Sequence, residues 1–382
     1  VDSKKYLTNK NFCPIPWTGF MYNSDGTVQN CIRNREPIGN LKQNSLKEIL
    51  ERNTEIKQNM LDNKPGNGCH GCYQLEQGKK SFDIVSDRIF YLKELREVPL
   101  DTYSDVDNFD LHKIDIRWSN SCNFGCVYCG PEYSSRWVAE LKLEKQQVPE
   151  DRVNELKEFV FSNVDTLKHV YLAGGEPLLM KENIEILELL LKRNPEVNLR
   201  VNTNLSKTGT PVFDLICKFK NVHWTLSVES MEDEFEYIRH GGKWQDFLDN
   251  LEVIRSLEHK VSFNMLWIPL NYLSIFECIK YLQQQGFHNN SFIVNAIENP
   301  QAFDIRNMPD IILEKLKDKL LYELAKAPGY LLENSYSNML LFLKKPFEKN
   351  PELMLNYIKR IDQLRGLKSK EVFMEFYKCL RK

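Results

Sequence analysis

Three cysteines, Cys122, Cys126 and Cys129, stand in the spacing C-x3-C-x2-C within Ser121-Cys122-Asn123-Phe124-Gly125-Cys126-Val127-Tyr128-Cys129-Gly130. Three thiolates on one tight loop suit a cubane iron–sulfur cluster, which needs sulfur ligands on several corners within a few ångströms. No fourth cysteine lies nearby, so one iron would keep an open position, and an open position on a metal is where chemistry happens. On spacing alone, a zinc knuckle or three unrelated buried thiols remain as alternatives. Four further cysteines, Cys13, Cys31, Cys69 and Cys72, precede this loop.

The elements around the loop alternate. Strand-like runs rich in β-branched and aromatic residues are expected at 113–118, 168–173, 198–203, 223–228, 260–266 and 291–296. Helical stretches fall between them, near 133–146, 150–163, 181–193, 210–219, 243–257 and 272–285. The stretch 181–193 places Ile184, Ile186, Leu187, Leu190 and Leu191 in a helical rhythm. Such repetition implies a parallel sheet with right-handed crossovers. The cysteine loop follows the first strand directly. Gly174-Gly175-Glu176-Pro177 follows the second, Asn202-Thr203-Asn204 ends the third, and Ser227 and Glu229 end the fourth. Strand ends of this kind are where such folds collect their sites. Glycines let the backbone approach a ligand closely, and Glu176 offers an acceptor to an ammonium group. Arg239 offers a guanidinium fork to a carboxylate. Taken singly, each of these residues is equally at home in a turn, a helix cap or a solvated loop.

The four front cysteines have their own frame. Asp25-Gly26 marks a hairpin that brings Cys13 towards Cys31. Ser45 and Glu48 form a capping box opening a short helix. Cys69-His70-Gly71-Cys72 closes the set, so that four thiolates can converge, on a tetrahedral zinc or on a cluster. His70 reads as a bystander. Cys217, Cys278 and Cys379 each stand alone on helical faces and read as small buried hydrophobes.

Composition sets the limits. The chain has 382 residues, enough for two or three domains, with a formal net charge of -2. That balance advertises no nucleic-acid groove, so nucleic acid is an unlikely partner. No apolar stretch approaches a membrane span. Ten cysteines without a recognisable export signal argue for metal ligation in a reducing cytoplasm rather than a disulfide framework.

The cysteine loop, with an aromatic residue before its third cysteine, resembles the signature of the radical S-adenosylmethionine (radical SAM) enzymes. The resemblance implies a [4Fe-4S] cluster on Cys122, Cys126 and Cys129, with S-adenosylmethionine chelated to the open iron and split to a 5′-deoxyadenosyl radical. It implies SAM contacts from Tyr128, from the GGEP run Gly174, Gly175, Glu176 and Pro177, and from Asn202, Asn204, Ser227, Glu229 and Arg239. Among these, GGEP would hold the amine and Arg239 the carboxylate. The implied fold is α/β: a partial (β/α)6 TIM-like barrel with a small N-terminal α+β domain and a helical C-terminal tail. The corresponding domains are 1–100, 101–300 and 301–382.

The front segment resembles the twitch or SPASM auxiliary-cluster domain of the same enzymes, here placed ahead of the barrel instead of after it. Its CPxPW opening, DG turn, GN pair, SLxEI helix and CxxC all match. The resemblance implies a second [4Fe-4S] cluster on Cys13, Cys31, Cys69 and Cys72, and a flavodoxin- or ferredoxin-type electron donor. The expected activity is oxidation, dehydrogenation or epimerisation of a small molecule, with the second cluster accepting the substrate's electron. Modification or crosslinking of a peptide or protein side chain is the alternative. RNA modification and a non-enzymatic iron–sulfur protein are more remote. The stretch Pro131–Trp137 and the tail residues Tyr330, Tyr336 and Arg365 are candidates for lining a substrate cavity, or equally for ordinary packing.

Overall fold

The computed structural model describes residues 4–34, 36–76, 86–93, 100–144, 147–326 and 330–380. Pro328 and Gly329 lie outside the described residues, as does the side chain of Tyr330. The chain divides into two compact units. One comprises Val1–Asn120, Lys145–Arg200 and Asp214–Val222, and the other Ser121–Glu144, Val201–Phe213 and His223–Lys382.

In the first unit, β1 (Gly19–Tyr22) and β2 (Thr27–Gln29) form the expected hairpin. Gly26 sits at a φ of 90°, open to glycine without strain, and the Asp25 carboxylate accepts from the Thr27 amide at 2.9 Å. β3 (Gly39–Asn40) adds antiparallel to β2. β1 then pairs in parallel with β4 (Lys113–Ile116), Gly19 opposite Lys113, and β4 pairs in parallel with β5 (His169–Leu172). The hairpin that carries the front cysteines is therefore built onto the strand that leads into the cysteine loop. Sequence patterning does not reveal this pairing, because it joins residues some ninety positions apart. The Ser45–Glu48 capping box forms in full at the head of the Leu46–Glu51 helix. Tyr6, Phe12, Trp17, Ile56, Met60, Leu92 and Tyr103 make a core against which Cys13 and Cys69 pack.

β6 (Asn198–Thr203) runs from the first unit into the second, and β7 is Val222–Ser227. In the second unit β7, β8 (Lys260–Trp267) and β9 (Phe292–Ala296) are successive parallel neighbours. The strand–helix succession from β4 to β9 is that of the expected partial (β/α)6 barrel, with a helical C-terminal region beyond it. The six expected strands stand within two residues of their anticipated bounds. Between β7 and β8, the helix Glu232–Ile238 lies outside the expected stretches: seven residues give too little periodicity to read, and it is held by burial of Phe235, Tyr237 and Ile238. The helix at Ser135–Glu140 is shorter than the 133–146 expected. In the tail, Ser335 on the Tyr330–Leu343 helix accepts from the Val294 amide of β9 at 3.0 Å, satisfying a donor on that strand.

Candidate metal and cofactor sites

The second unit holds the three-cysteine loop, pinned at many points. Gly125 and Val127 amides donate to the His240 and Ile238 carbonyls, both at 2.8 Å. The Trp137 indole donates to the Cys126 carbonyl at 2.9 Å, and the Ser134 hydroxyl to that of Phe124 at 2.6 Å. Ser135 receives the Cys122 amide at 3.1 Å. The helix Ser135–Glu140 thus grips the loop from its C-terminal side, a role the sequence did not disclose for Ser134, Ser135 or Trp137.

Beneath the loop lies a charged network. Arg365, its side chain almost wholly buried, lies over the Trp137 ring at 4.3 Å and pairs with Glu140 at 2.8 Å. Arg136 also pairs with Glu140, at 3.0 Å. Burial, with Arg365 and Arg136 beside it, pushes His240 down to about 4. The imidazole is therefore neutral near pH 7, and its Nε2 accepts from Arg136 Nη2 at 3.0 Å. Of the tail residues named as cavity candidates, Tyr336 packs in the core beside Phe276 and Arg365 supports the loop.

Among the sequence-derived site residues, three meet around one guanidinium. Arg239 Nη1 donates to Glu229 Oε2 at 2.8 Å and to the Tyr128 hydroxyl at 2.6 Å, with the pair 5% and 1% exposed. Burial opposes this charge, but Cys126, Glu229 and Tyr128 outweigh it and hold the arginine's pKa above its ordinary value. The Glu229 backbone carbonyl is in turn held by Asn271 Nδ2 at 2.9 Å, a residue missed from sequence. Asn204 Nδ2 lies 3.8 Å from the Cys122 sulfur and 3.1 Å from Asn123 Oδ1. Ser227 is buried at the end of β7. Asn202 Oδ1 and Arg239 Nε are among the buried polar atoms that have no hydrogen-bond partner among the described residues. Orphaned buried groups of this sort are costly unless a ligand completes them, so they fit a polar cofactor beside the loop.

In the first unit, Gly174 follows β5 at a φ of 121°. A Cβ there would come within 2.9 Å of Met180 Cε and 3.1 Å of the Ser119 carbonyl oxygen. Glu176 is buried, and its side chain accepts from the Leu178 amide at 3.1 Å, capping the turn Pro177–Leu179. Gly174→Ala combines a disfavoured φ with a tight fit and is expected to cost about 1–3 kcal/mol, readable in the urea midpoint.

Cys13, Cys31, Cys69 and Cys72 all border one cavity, together with Arg33, Asp87, Arg88 and Tyr91. Exposed His70 is not among its walls. Burial and mutual repulsion push Cys69 up to about 12, and burial pushes Cys72 up to about 11. So crowded a set of thiols gives up its protons only to a cation lodged among them, which suits a metal cluster. Among the described residues, no three His, Cys, Asp or Glu side chains converge on a single-ion position. The four thiols border a shared cavity rather than a point. No helix among the described residues is long and apolar enough to cross a membrane.

Two family models cover the segments that carry the two cysteine sets. Residues 116–282 match the family model of the radical SAM superfamily, and residues 13–73 that of the SPASM iron-sulfur cluster-binding domain. The GTP 3′,8-cyclase of Sulfurimonas denitrificans is 24% identical over 218 residues, covering 53% of this chain and 64% of that protein. That of Aliarcobacter butzleri is 25% identical over 213 residues, covering 53% and 60%. The chain thus spans less than two thirds of the length of these relatives. Among solved structures, anSMEcpe with bound AdoMet superposes with a TM-score of 0.41 at 16% identity, over 54% of this chain and 58% of that one. Streptococcus suis SuiB bound to S-adenosylmethionine gives 0.43 at 15%, over 72% and 65%. Values this low carry no argument about activity. The two matched domains imply a SAM-binding [4Fe-4S] cluster, S-adenosylmethionine and an auxiliary iron–sulfur cluster. By both cysteine sets and both family matches, the chain carries a radical SAM domain and, ahead of it, a SPASM-type iron–sulfur cluster-binding domain.

Proposed function

We propose that this enzyme removes a hydrogen atom and an electron from a small polar molecule, a net two-electron oxidation. When bound, the clusters and S-adenosylmethionine supply a 5′-deoxyadenosyl radical that takes the hydrogen atom and a sink for the electron, while a proton leaves to solvent. Cys122, Cys126 and Cys129 would hold the first cluster, and Cys13, Cys31, Cys69 and Cys72 the second. Asn202 and Arg239 would receive the cofactor's polar groups, with Glu229 and Tyr128 fixing the fork of Arg239. Gly174 would let the backbone approach the cofactor closely, and Glu176 would accept from its amine.

The observation that carries this reading is the shared cavity of four thiols. Four protein ligands complete a cubane's iron coordination, so a cluster there suits electron transfer rather than substrate ligation. The similarity to GTP 3′,8-cyclases supports a small-molecule substrate.

Anaerobic reconstitution with iron and sulfide counts tests the cofactors: two cubanes require more than about seven irons per chain. Deuterated nucleotide and sugar probes, with peptide pools as the rival class, test the substrate through deuterium appearing in 5′-deoxyadenosine. The Cys69→Ala/Cys72→Ala variant is expected to cleave S-adenosylmethionine at the parental rate while oxidised product drops at least tenfold. Undiminished oxidation in that variant removes the electron-sink role.

A further inference from the structure

One charge beside the front cavity lies outside its ion pairs. Arg33 is paired with Asp87 at 2.7 Å, and Arg88 is paired with Glu76 while donating to the Phe12 carbonyl at 3.0 Å. Each guanidinium is balanced by its own carboxylate. Lys113, largely buried on β4, makes no ion pair within 4.0 Å among the described residues; its ammonium is held by Tyr91 and drawn by Asp87. Its Nζ lies 4.1 Å from the centre of the Tyr91 ring, which forms part of the cavity wall. Lys113 and Cys31 attract one another electrostatically. The fold also makes room for it. Gly19 stands opposite Lys113 on β1, and a Cβ at Gly19 would come within 3.1 Å of Lys113 Cβ and 2.7 Å of its carbonyl oxygen.

Burying an ammonium is costly unless negative charge lies nearby. A cluster held by four thiolates carries net negative charge, and that charge grows by one electron on reduction. A fixed cation beside it stabilises the reduced state more than the oxidised one.

We propose that Lys113 is a positioning residue for charge rather than for shape: it raises the reduction potential of the auxiliary cluster and so makes that cluster an electron acceptor. This rests on the reading of Cys13, Cys31, Cys69 and Cys72 as cluster ligands.

The test is an EPR-monitored redox titration of the full chain, reconstituted anaerobically. The front cluster is the signal left unmoved by adding S-adenosylmethionine. Lys113→Met is expected to lower its midpoint by at least tenfold in the reduction equilibrium, about 59 mV for one electron. Lys113→Arg is expected to keep it. Asp87→Asn, which leaves Lys113 in place and unbalances Arg33, is expected to move it upward, and it provides a second reading should Lys113→Met load iron poorly. A purely structural lysine would alter iron loading or stability without this charge-dependent pattern. An unchanged midpoint in an iron-replete Lys113→Met variant, or no rise in Asp87→Asn, overturns the proposal. A front site that takes zinc and no iron overturns the reading beneath it.

Discussion

Reconstituted parent protein, given dithionite and S-adenosylmethionine, is expected to release 5′-deoxyadenosine, and Cys126→Ala to lose about a thousandfold or more of that rate, some 4 kcal/mol in barrier. The loop has no spare sulfur. Cys126 is buried, its carbonyl is held by Trp137, and the neighbouring amides of Gly125 and Val127 are tied to the 238–240 segment. Removing this thiol leaves two ligands on a backbone that cannot shift to supply another. Iron content should fall by roughly half, because the front cysteines are untouched. Liquid chromatography of the quenched reaction and an iron assay measure both. Full cleavage activity in this variant would mean that the loop does not hold the reactive cluster.

Glu229→Ala is expected to destabilise the protein by about 3–5 kcal/mol, because it strands the Arg239 guanidinium in a buried site. The pair is shielded from solvent, and among the described residues the Arg239 side chain otherwise hydrogen-bonds the Tyr128 hydroxyl. The double variant Glu229→Met/Arg239→Met should recover much of the loss, since two apolar side chains of similar volume need no counter-charge. Urea titration of the apo protein reads both. If Arg239 served the cofactor alone, Glu229→Ala would leave the unfolding midpoint nearly unmoved and affect only S-adenosylmethionine affinity by calorimetry. Here the structure adds to the sequence reading. Arg239, expected to hold a carboxylate of the cofactor, already has one of its own in Glu229.

What the sequence discloses and what it conceals divide along physical lines. The strands are legible because β-branched and aromatic runs lie between turn residues, and the Ser45–Glu48 cap because its two bonds are local. The cysteine sets are legible because ligand spacing is local within each loop. Arg239 and Tyr128 stand 111 residues apart, and Arg365 and Glu140 are 225 apart, so no periodicity reports either contact. Lys113 reads as an ordinary strand residue until β1 is laid beside it. The helix at Glu232–Ile238 is concealed by its opening Glu232-Asp233-Glu234, which looks solvated, while tertiary burial of Phe235 and Ile238 secures it.

The parallel pairing of β1 with β4 bears on any attempt to trim the protein. A chain begun after the front segment would present β4 with a bare flank of amide and carbonyl groups, a template for strands from other molecules. Such a fragment should be prone to self-association, so the front segment shields the rest of the chain as well as carrying its own cysteines.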